Sequence, residues 1–475
     1  MAKSFLEEIS PEQGIVVNDI HSQLNATHVH KIFRPLSTGD LSQAIQTAAA
    51  AKLSVAIAGG RHAMGGQQFA AGGCLIDTSL FTSVLSLDAE AGLVTVQGGI
   101  TWGALIEQLK NMQLGRARQW VIKQKPSGAD DISIAGSISA NAHGRGLTWK
   151  PLVGDVESLT VVDAHGEEHF ISRTENQDLF RLVIGGYGMF GAIGAVTLRL
   201  QERAKLQRHV EVIRIADLMS RFDSAIEDGF VYGDFQFDIE NGSEEFLTRG
   251  IFAAYKPVAP DTVVPDQQRV LSIEEWQRLL HLAHVDKRRA FEVYSDHYLQ
   301  SHGQIYYSDV HQLSKYIDHY HLDLDKKLQA QVPATEIITE LYVPRNRLAN
   351  FMCAAATECR RLNTNIIYGT IRLIEKDDET FLPWARERYA CIIFNLHTEH
   401  SQDGMNAAQT AFKKLIDLAI ERQGSFYLTY HRFADVARIN ACYPQFKQWL
   451  ALKREADPEE RFQSNWYRHY RDLFA

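Results

Sequence analysis

The stretch IAGGRHAMGGQ, residues 57–67, combines four glycines with a histidine that directly follows an arginine. Glycine in an ordered loop costs conformational entropy, so it marks a bend or a close approach of the backbone to a ligand. Three further glycine-bearing segments follow, namely SIAGSISANAHGRG (133–146), LVGDVESLTVVDAHGE (152–167) and GGYGMFGAIGAVTLRL (185–200). Backbone N–H groups in such loops can line an extended anionic ligand, such as a diphosphate, without a lysine. None of the segments is a G-x-G-x-x-G loop that opens a helix after a strand, and none contains G-x-x-x-x-G-K-[ST].

The elements that position these segments mix strands and helices up to about residue 200. STGDLSQAIQTAAAAKL begins with capping residues and continues with helix formers, which predicts a capped helix. SVAIAGG is predicted to be a buried strand that runs into the first glycine loop. CLIDTSL, LVTVQGG, LTVVDAHG and AIGAVTLRL are further predicted strands, and TWGALIEQLKNM is a predicted helix.

The pattern changes after residue 201. EVIRIADLMSRFDSAIEDGF, EEWQRLLHLAHVDKRRAFEVYSDHYL and NRLANFMCAAATECRRLN each predict an amphipathic helix. Strands are predicted between them at YGDFQFDIE, ATEIITELYVP, NIIYGTIRLIE and YACIIFNLH, with an exposed loop at residues 259–268. The second part is therefore predicted to be a sheet covered by helices, which is an α+β arrangement.

Composition limits the functional classes. The chain has 475 residues, a formal net charge of −9 and no basic block, which argues against a nucleic-acid surface. Its cysteines are scattered and form no C-x-x-C pair, which favours free thiols in a reducing compartment. The N-terminal stretch has no apolar leader-like region and no run approaches a membrane span, so a cytoplasmic location is expected.

Taken in order, the four glycine segments resemble the FAD-binding domain of the vanillyl-alcohol oxidase and cytokinin dehydrogenase superfamily, a domain of the PCMH type. The resemblance covers about residues 14–200 and the C-terminal tail. It implies an α+β fold with an FAD-binding domain at residues 14–203 and a substrate or cap domain at 204–425. A C-terminal segment, 426–475, would return to the FAD-binding domain.

The resemblance also implies how FAD is held. Cytokinin dehydrogenases read G-H-S-x-x-G-Q in this loop, and their histidine is bonded to the flavin 8α carbon; His62 keeps that spacing, with Ala63 in place of the serine. Relatives with two flavin bonds use an added cysteine, and none occurs between Cys74 and Cys353. A single covalent bond through His62 is therefore expected. The implied FAD-binding residues are Gly59, Gly60, Arg61, His62, Ala63, Gly65, Gln67, Ser133, Gly136, Ser137, Ser139, His143, Gly144, Gly191 and Ile193.

The C-terminal tail is similar to that of decaprenylphosphoryl-ribose oxidases and, more loosely, of aldonolactone and alditol oxidases. Those relatives carry Y-L-A-K-D, Y-P-x-x-x-x-W and D-P-x-x-x-F-x-S. This chain has YLTYH at 427–431, so Tyr430 replaces the lysine and His431 the aspartate. IIYGTIRLIEKDD resembles the alditol oxidase strand with E-x-R followed by D-D, and Arg372 holds the arginine position. An arginine there would stabilise negative charge on the flavin.

These resemblances imply oxidation of a sugar- or polyol-like C–OH by hydride transfer to FAD, with oxygen or another electron acceptor as the final oxidant. Arg372, Tyr427, Tyr430 and His431 are the predicted catalytic residues, and a small molecule is the expected substrate. Three alternatives remain open, namely amine oxidation of the cytokinin dehydrogenase kind, a flavin-binding protein with altered catalysis, and a reductase that runs the flavin in the opposite direction with an electron partner. The aspartate that cytokinin dehydrogenases use falls at Gly128 here. No metal site is predicted, because HTEH and DHYH lack a cysteine or carboxylate set at metal spacing.

Overall fold

The structure is a computed structural model that describes residues 14–314, 317 and 319–475. The N-terminal stretch for which no leader is predicted lies almost wholly outside these residues. Among the helices within the described ranges, none is both long and apolar enough to cross a membrane. The elements up to residue 202 are β1 Ile15–Val17, β2 Thr27–Val29, β3 Lys31–Phe33, α1 Thr38–Ala50, β4 Val55–Ala58, β5 Cys74–Asp77, β6 Val84–Asp88, β7 Leu93–Gln97, α2 Trp102–Met112, β8 Trp120–Ile122, α3 Ile134–Ser139, β9 Val156–Val162, β10 Glu168–Ser172, α4 Gln177–Val183 and β11 Ala192–Glu202.

The N-terminal part contains two larger sheets around the glycine segments. β3, β5 and β4 form a parallel sheet, and β10, β9, β11, β7 and β6 form an antiparallel one to which β8 adds through β11. α1 confirms the predicted capped helix, because Ser37 and Asp40 form a capping box at its start. α2 is likewise capped by Thr101. The glycine loop leaves the carboxyl end of β4, as the sequence predicts.

The second part is built on one long antiparallel sheet. Its elements are β12 Lys205–Arg214, α5 Ile215–Glu227, β13 Tyr232–Phe237, β14 Arg249–Pro257, α6 Ile273–Val285, α7 Lys287–Gln300, β15 Ile305–Tyr307, α8 Tyr320–Leu328, β16 Ala334–Pro344, α9 Leu348–Arg361, β17 Ile366–Ile374, β18 Tyr389–Glu399, α10 Gln402–Ile420 and β19 Ser425–Phe426. The strand order is β15-β12-β14-β13-β17-β18-β16-β19. α5, α9 and α10 pack on this sheet through buried apolar faces. The α+β prediction is confirmed.

Two helix predictions in this part need correction. EVIR belongs to the end of β12, and the helix begins only at Ile215. The long helix predicted from EEWQ onward is two helices, α6 and α7, because Asp286 leaves the helical region at φ −152° and ψ 80°. Its carboxylate accepts the Arg289 N–H and so starts α7 as an N-cap. The short polar side chain of Asp286 favours an N-cap over continuation of the helix. Apolar periodicity alone does not reveal this break between the two helices.

The tail returns to the N-terminal part. It holds α11 Val436–Cys442, α12 Phe446–Ala456 and α13 Asn465–Leu473. Phe462 bridges Val55 of β4 in parallel, and the Val55 N–H donates to the Arg461 carbonyl at 2.7 Å. The Asn465 N–H donates to the Phe69 carbonyl at 2.7 Å. The segment that follows β19, residues 427–431, thereby lies against the glycine loop.

Candidate active site

One cavity of about 930 Å³ lies between the glycine segments and a face of the long sheet. Side chains on a strand alternate between its two faces, so residues two apart share a face. The cavity is lined in this way by Asp234 and Gln236 of β13, by Tyr368, Thr370 and Arg372 of β17, and by Glu336, Ile338 and Glu340 of β16. The opposite wall comes from the loops after β4 and β8, from α3 and from the loop before β11.

The first glycine loop packs tightly against the segment that precedes α3. A Cβ atom on Gly59 would overlap the Ser133 hydroxyl, and one on Gly60 would overlap the Asp131 carbonyl. A Cβ on Gly65 would lie 2.6 Å from the Tyr430 carbonyl. These glycines are therefore required by the protein's own packing, which brings the two loops together on the cavity wall.

His62 and Gln67 hold the loop in place. His62 is half-buried and lines the cavity, and its Nδ1 lies 2.9 Å from His21 Nε2. The Gln67 side chain accepts the Gly65 N–H at 3.1 Å and donates to the Thr429 carbonyl at 2.9 Å. Gln67 therefore ties the glycine loop to the tail.

The segment 133–146 supplies the middle of the wall. Ser133 caps α3 by accepting the Gly136 N–H at 3.3 Å. The Ser137 hydroxyl donates to the Ser133 carbonyl and accepts the Trp102 indole N–H at 2.9 Å. His143 is buried and reaches across to the long sheet.

The structure brings together nearly all the residues predicted to bind FAD. Of that set, Gly65 and Gly144 do not line the cavity. Gly144 instead packs on the backbone and side chain of the 124–125 segment, and its N–H donates to Gln124 Oε1 at 3.1 Å. Arg61 has a positive φ of 55° and its side chain is largely exposed, although it borders the cavity.

Glu340 is a functional candidate that the sequence prediction missed. It is buried and lines the cavity, and its Oε1 lies 2.8 Å from His143 Nε2. It accepts hydrogen bonds from the Tyr342 and Tyr430 hydroxyls at 2.5 and 3.2 Å. Cys391 Sγ lies 3.2 Å from the same carboxylate. Burial favours a raised pKa, but the charge and hydrogen bond of His143 prevail, so the pKa of Glu340 lies below its ordinary value. The carboxylate is therefore ionised at neutral pH.

The predicted catalytic residues divide between two environments. Arg372 is buried on the cavity wall, forms no ion pair with any described residue, and its Nε has no hydrogen-bond partner among them. Tyr430 also lines the cavity. Burial, with Glu340 beside it, raises the pKa of Tyr430 well above its ordinary value, so its hydroxyl stays a donor.

The other two predicted catalytic residues differ in placement, because Tyr427 lines the cavity whereas His431 does not. The Tyr427 hydroxyl donates to the Ala140 carbonyl at 2.6 Å, and burial raises its pKa well above the ordinary value. His431 does not line the cavity, because its ring stacks on Phe433 at 5.5 Å and packs near Phe412 of α10. Burial lowers the pKa of His431 to about 3. The placement of His431 outside the cavity therefore does not match its predicted catalytic role.

The sheet end of the cavity contains buried polar atoms that lack partners within the described part of the chain. They are Asp234 Oδ1, Gln236 Oε1, both ring nitrogens of His311, and Thr370 Oγ1. Arg145 crosses this region, with its NH1 3.4 Å from Asp234 Oδ2 and its NH2 donating to the His311 carbonyl at 2.6 Å. Buried polar atoms are nearly always hydrogen-bonded, so this set indicates a polar ligand.

The donor set fits an elongated dinucleotide on the glycine side. A Cβ on Gly128, or on Gly188, would meet no described heavy atom within 4 Å, although both residues line the cavity. The backbone thus leaves open space at two points of the cavity wall, while Arg372 supplies a buried positive charge that forms no ion pair with any described residue. The residues present therefore fit FAD.

The comparisons with known proteins agree with this geometry. The family model of an FAD binding domain matches residues 29–172. L-gulono-1,4-lactone dehydrogenase of Mycobacterium tuberculosis is 25% identical over 450 residues, covering 92% of this chain and 95% of the relative. Cytokinin dehydrogenase 3 of Oryza sativa is 32% identical over 181 residues, which is 36% of this chain and 33% of that protein. Mitochondrial L-galactono-1,4-lactone dehydrogenase of Arabidopsis thaliana is 26% identical over 205 residues, or 42% and 32% of the two chains.

The fold and the site together define an FAD-dependent oxidoreductase. Residues 29–172 match an FAD binding domain, of the PCMH type, and the chain is similar to FAD-linked dehydrogenases. The matches to the plant enzymes span only about a third of those proteins, whereas the gulonolactone dehydrogenase aligns over nearly its whole length.

Proposed function

We propose that the enzyme oxidises a C–OH group of a sugar- or polyol-like substrate. The observation that carries this proposal is the set of unpaired buried polar atoms at the sheet end of the cavity. Each such atom costs about 1–3 kcal/mol if it stays unsatisfied. A hydroxyl both donates and accepts, so a polyhydroxylated substrate can satisfy the acceptors on Asp234 and Gln236 and the ring nitrogens of His311 together. The similarity to the two lactone dehydrogenases supports the same class.

The site residues can carry the proton and charge changes that this reaction needs. Bound FAD supplies the acceptor for the hydride that leaves the substrate carbon. The hydroxyl proton passes to the ionised Glu340 carboxylate as the C–O double bond forms. Tyr430 keeps a donor on Glu340 and so orients it, while Arg372 stabilises the negative charge that develops at the reacting centre. Tyr430 acts in this proposal as a positioning residue, and Glu340, rather than the predicted Tyr430 or His431, accepts the proton.

We further propose that His62 bonds FAD covalently, and that the domains lie at 14–203, 204–425 and 426–475. The spacing from His62 to Gln67 and the position of His62 on the cavity wall support the bond. Oxygen or another acceptor would complete the cycle. A cytoplasmic location remains part of the proposal, supported by cysteines that are all free thiols.

The amine-oxidation alternative has weaker support. Gly128 leaves the cytokinin dehydrogenase position without a carboxylate. The nearby Asp130 is engaged, because its Oδ1 lies 2.8 Å from Lys125 Nζ and accepts the Ser314 N–H at 2.9 Å.

Anaerobic mixing with a substrate panel tests the proposal. Aldonolactones, alditols and aldoses are compared with secondary amines, and the loss of yellow flavin absorbance is recorded. We expect bleaching by at least one polyhydroxylated compound and none by the amines. Bleaching by amines alone would replace the proposal with amine oxidation. Full resistance to the panel, with dithionite still bleaching the protein, would favour a flavin-binding protein that has lost turnover.

A further inference from the structure

Three side chains converge in the wall between the cavity and the surface. His284 lies on α6, Glu336 on β16 and His397 on β18. His284 Nε2 lies 3.1 Å from Glu336 Oε1, and His397 Nδ1 lies 3.6 Å from the same oxygen. One ligand atom from each residue lies within 4.8 Å of the others. Two imidazoles thus approach one carboxylate oxygen.

The hydrogen bond on the far side of His284 fixes which nitrogen carries its proton. His284 Nδ1 lies 2.7 Å from the Leu280 carbonyl oxygen, which can only accept, so Nδ1 is the donor. In the neutral ring, Nε2 then presents a lone pair to the Glu336 carboxylate. Two electron pairs at 3.1 Å repel each other unless a cation lies between them, either a proton or a metal ion.

His397 separates these two possibilities. A second proton on the His284 ring would satisfy the contact with Glu336. It would leave His397 Nδ1 without a bonding partner. That atom is buried and has no hydrogen-bond partner in the described part of the chain. A metal ion accepts lone pairs from all three side chains at once. The backbone bond of His284 is also the support that metal-bound histidines usually have on their second nitrogen.

We propose that His284 Nε2, Glu336 Oε1 and His397 Nδ1 form a site for a divalent transition metal ion such as Zn²⁺. Tetrahedral bonds of about 2.0–2.2 Å place ligand atoms about 3.3–3.6 Å apart, close to the two distances to the carboxylate oxygen. Two histidines and one glutamate leave a fourth position open for water or substrate. This departs from the sequence expectation of no metal site, because the carboxylate and His284 lie far from HTEH in the chain.

The surroundings of the site suit an ion that enters from solvent and acts near the substrate. His284 also lines a small surface pocket with Glu240, Asp286 and Lys287, whereas Glu336 lines the main cavity.

Calorimetric titration of the untagged, FAD-loaded protein with Zn²⁺, after chelator treatment, tests the site. We expect one ion per chain in the wild type, and a loss of at least about a hundredfold in affinity in His397→Asn and Glu336→Gln. His400→Asn is the matched control within the same HTEH motif, because His400 Nε2 bonds the Thr335 hydroxyl at 2.9 Å and lies outside the site. Its affinity for Zn²⁺ should equal that of the wild type.

Three results would overturn the proposal. They are the absence of stoichiometric binding to the wild type, unchanged affinity in His397→Asn, and equal losses in His397→Asn and His400→Asn. Absence of binding would assign the cluster to a protonated His284 paired with Glu336. Because the wild-type titration needs no variant, misfolding of a variant does not leave the proposal untested. Anomalous scattering from Zn²⁺ in crystals of the wild type would give the ligands directly.

Discussion

The Tyr430 hydroxyl donates a hydrogen bond to Glu340 Oε2 across 3.2 Å. A tyrosine thus holds a buried carboxylate at the point where the tails of sugar oxidases carry a lysine. The pKa of Tyr430 is raised by burial and by Glu340, whereas the pKa of Glu340 is lowered chiefly by His143. The pair therefore has a fixed direction, with Tyr430 as donor and Glu340 as acceptor, and the proton-accepting group is the carboxylate.

Glu340→Gln is expected to slow substrate-driven FAD reduction by about a hundred- to ten-thousandfold, the usual contribution of a general base. The amide keeps the shape of the side chain but cannot take the proton. Stopped-flow absorbance under anaerobic conditions measures the rate, and the FAD content of the purified variant checks the fold. A rate within a factor of two of the wild type would remove Glu340 from the proton path.

The rate of FAD reduction should depend on pH in only one direction. Because the pKa of Glu340 lies below its ordinary value of about 4.3, the rate should stay level from alkaline pH down to about pH 5 and fall only below it. Tyr430 should give no alkaline limb, since its pKa is raised. The Glu340→Gln profile should lack the acid limb. An acid limb near pH 6.5 in the wild type would instead indicate a histidine.

Tyr430→Phe and Tyr427→Phe form a matched pair on one segment. Tyr430→Phe removes the donor on Glu340 and should slow FAD reduction about ten- to a hundredfold, since a hydrogen bond to a charged group contributes about 1.5–3 kcal/mol. Tyr427→Phe removes the bond to the Ala140 carbonyl and should chiefly lower the free energy of unfolding by about 1 kcal/mol. Stopped-flow rates and urea unfolding measure the two effects. If instead Tyr427→Phe slowed FAD reduction and Tyr430→Phe only lowered the free energy of unfolding, the reacting carbon would lie closer to Tyr427.

Arg372→Met should slow FAD reduction about a hundredfold while FAD stays bound, because the buried positive charge acts only as charge develops. The control is Arg388→Met, whose side chain is 63% exposed and pairs with Glu375. Both variants lose one positive charge, so a difference between their rates of FAD reduction shows the effect of the position of that charge. Equal rates in the two variants would contradict the role of Arg372.

His62→Ala should release FAD from the protein on acid precipitation, whereas the wild-type pellet should stay yellow. The spectrum of the supernatant measures the released flavin. His21→Ala is a useful second variant, because His21 contacts His62 Nδ1 but is expected to form no bond to FAD. Free FAD in the wild-type supernatant would show that His62 only contacts the cofactor.

Gly59→Ala should lose most of its FAD, because the new Cβ overlaps the Ser133 side chain. The double variant Gly59→Ala with Ser133→Gly removes that overlap and should recover part of the FAD content. FAD absorbance per protein, measured after gel filtration, compares the two. No recovery in the double variant would mean that the cofactor itself needs the bare backbone at Gly59.

The sequence alone determined the local structure and the class of cofactor. The capping box of Ser37 and Asp40, the apolar periodicity of α2 and the glycine segments depend on residues close together in the chain, so their patterns can be read directly. The glycine loops also carry the resemblance to FAD-binding domains. These features predict the α+β fold, FAD as the cofactor and most of the residues that line the N-terminal side of the cavity.

Only the tertiary structure decided which polar residues meet. Glu340 stands in ATEIITELYVP, a pattern that predicts a buried strand. Its partners His143 and Tyr430 lie 197 and 90 residues away from it in the chain. Tyr430 and His431 are neighbours, yet one faces the cavity and the other packs on α10. Strand register and the return of the tail set these contacts. Both depend on long-range packing, which leaves no periodic signal in the local sequence.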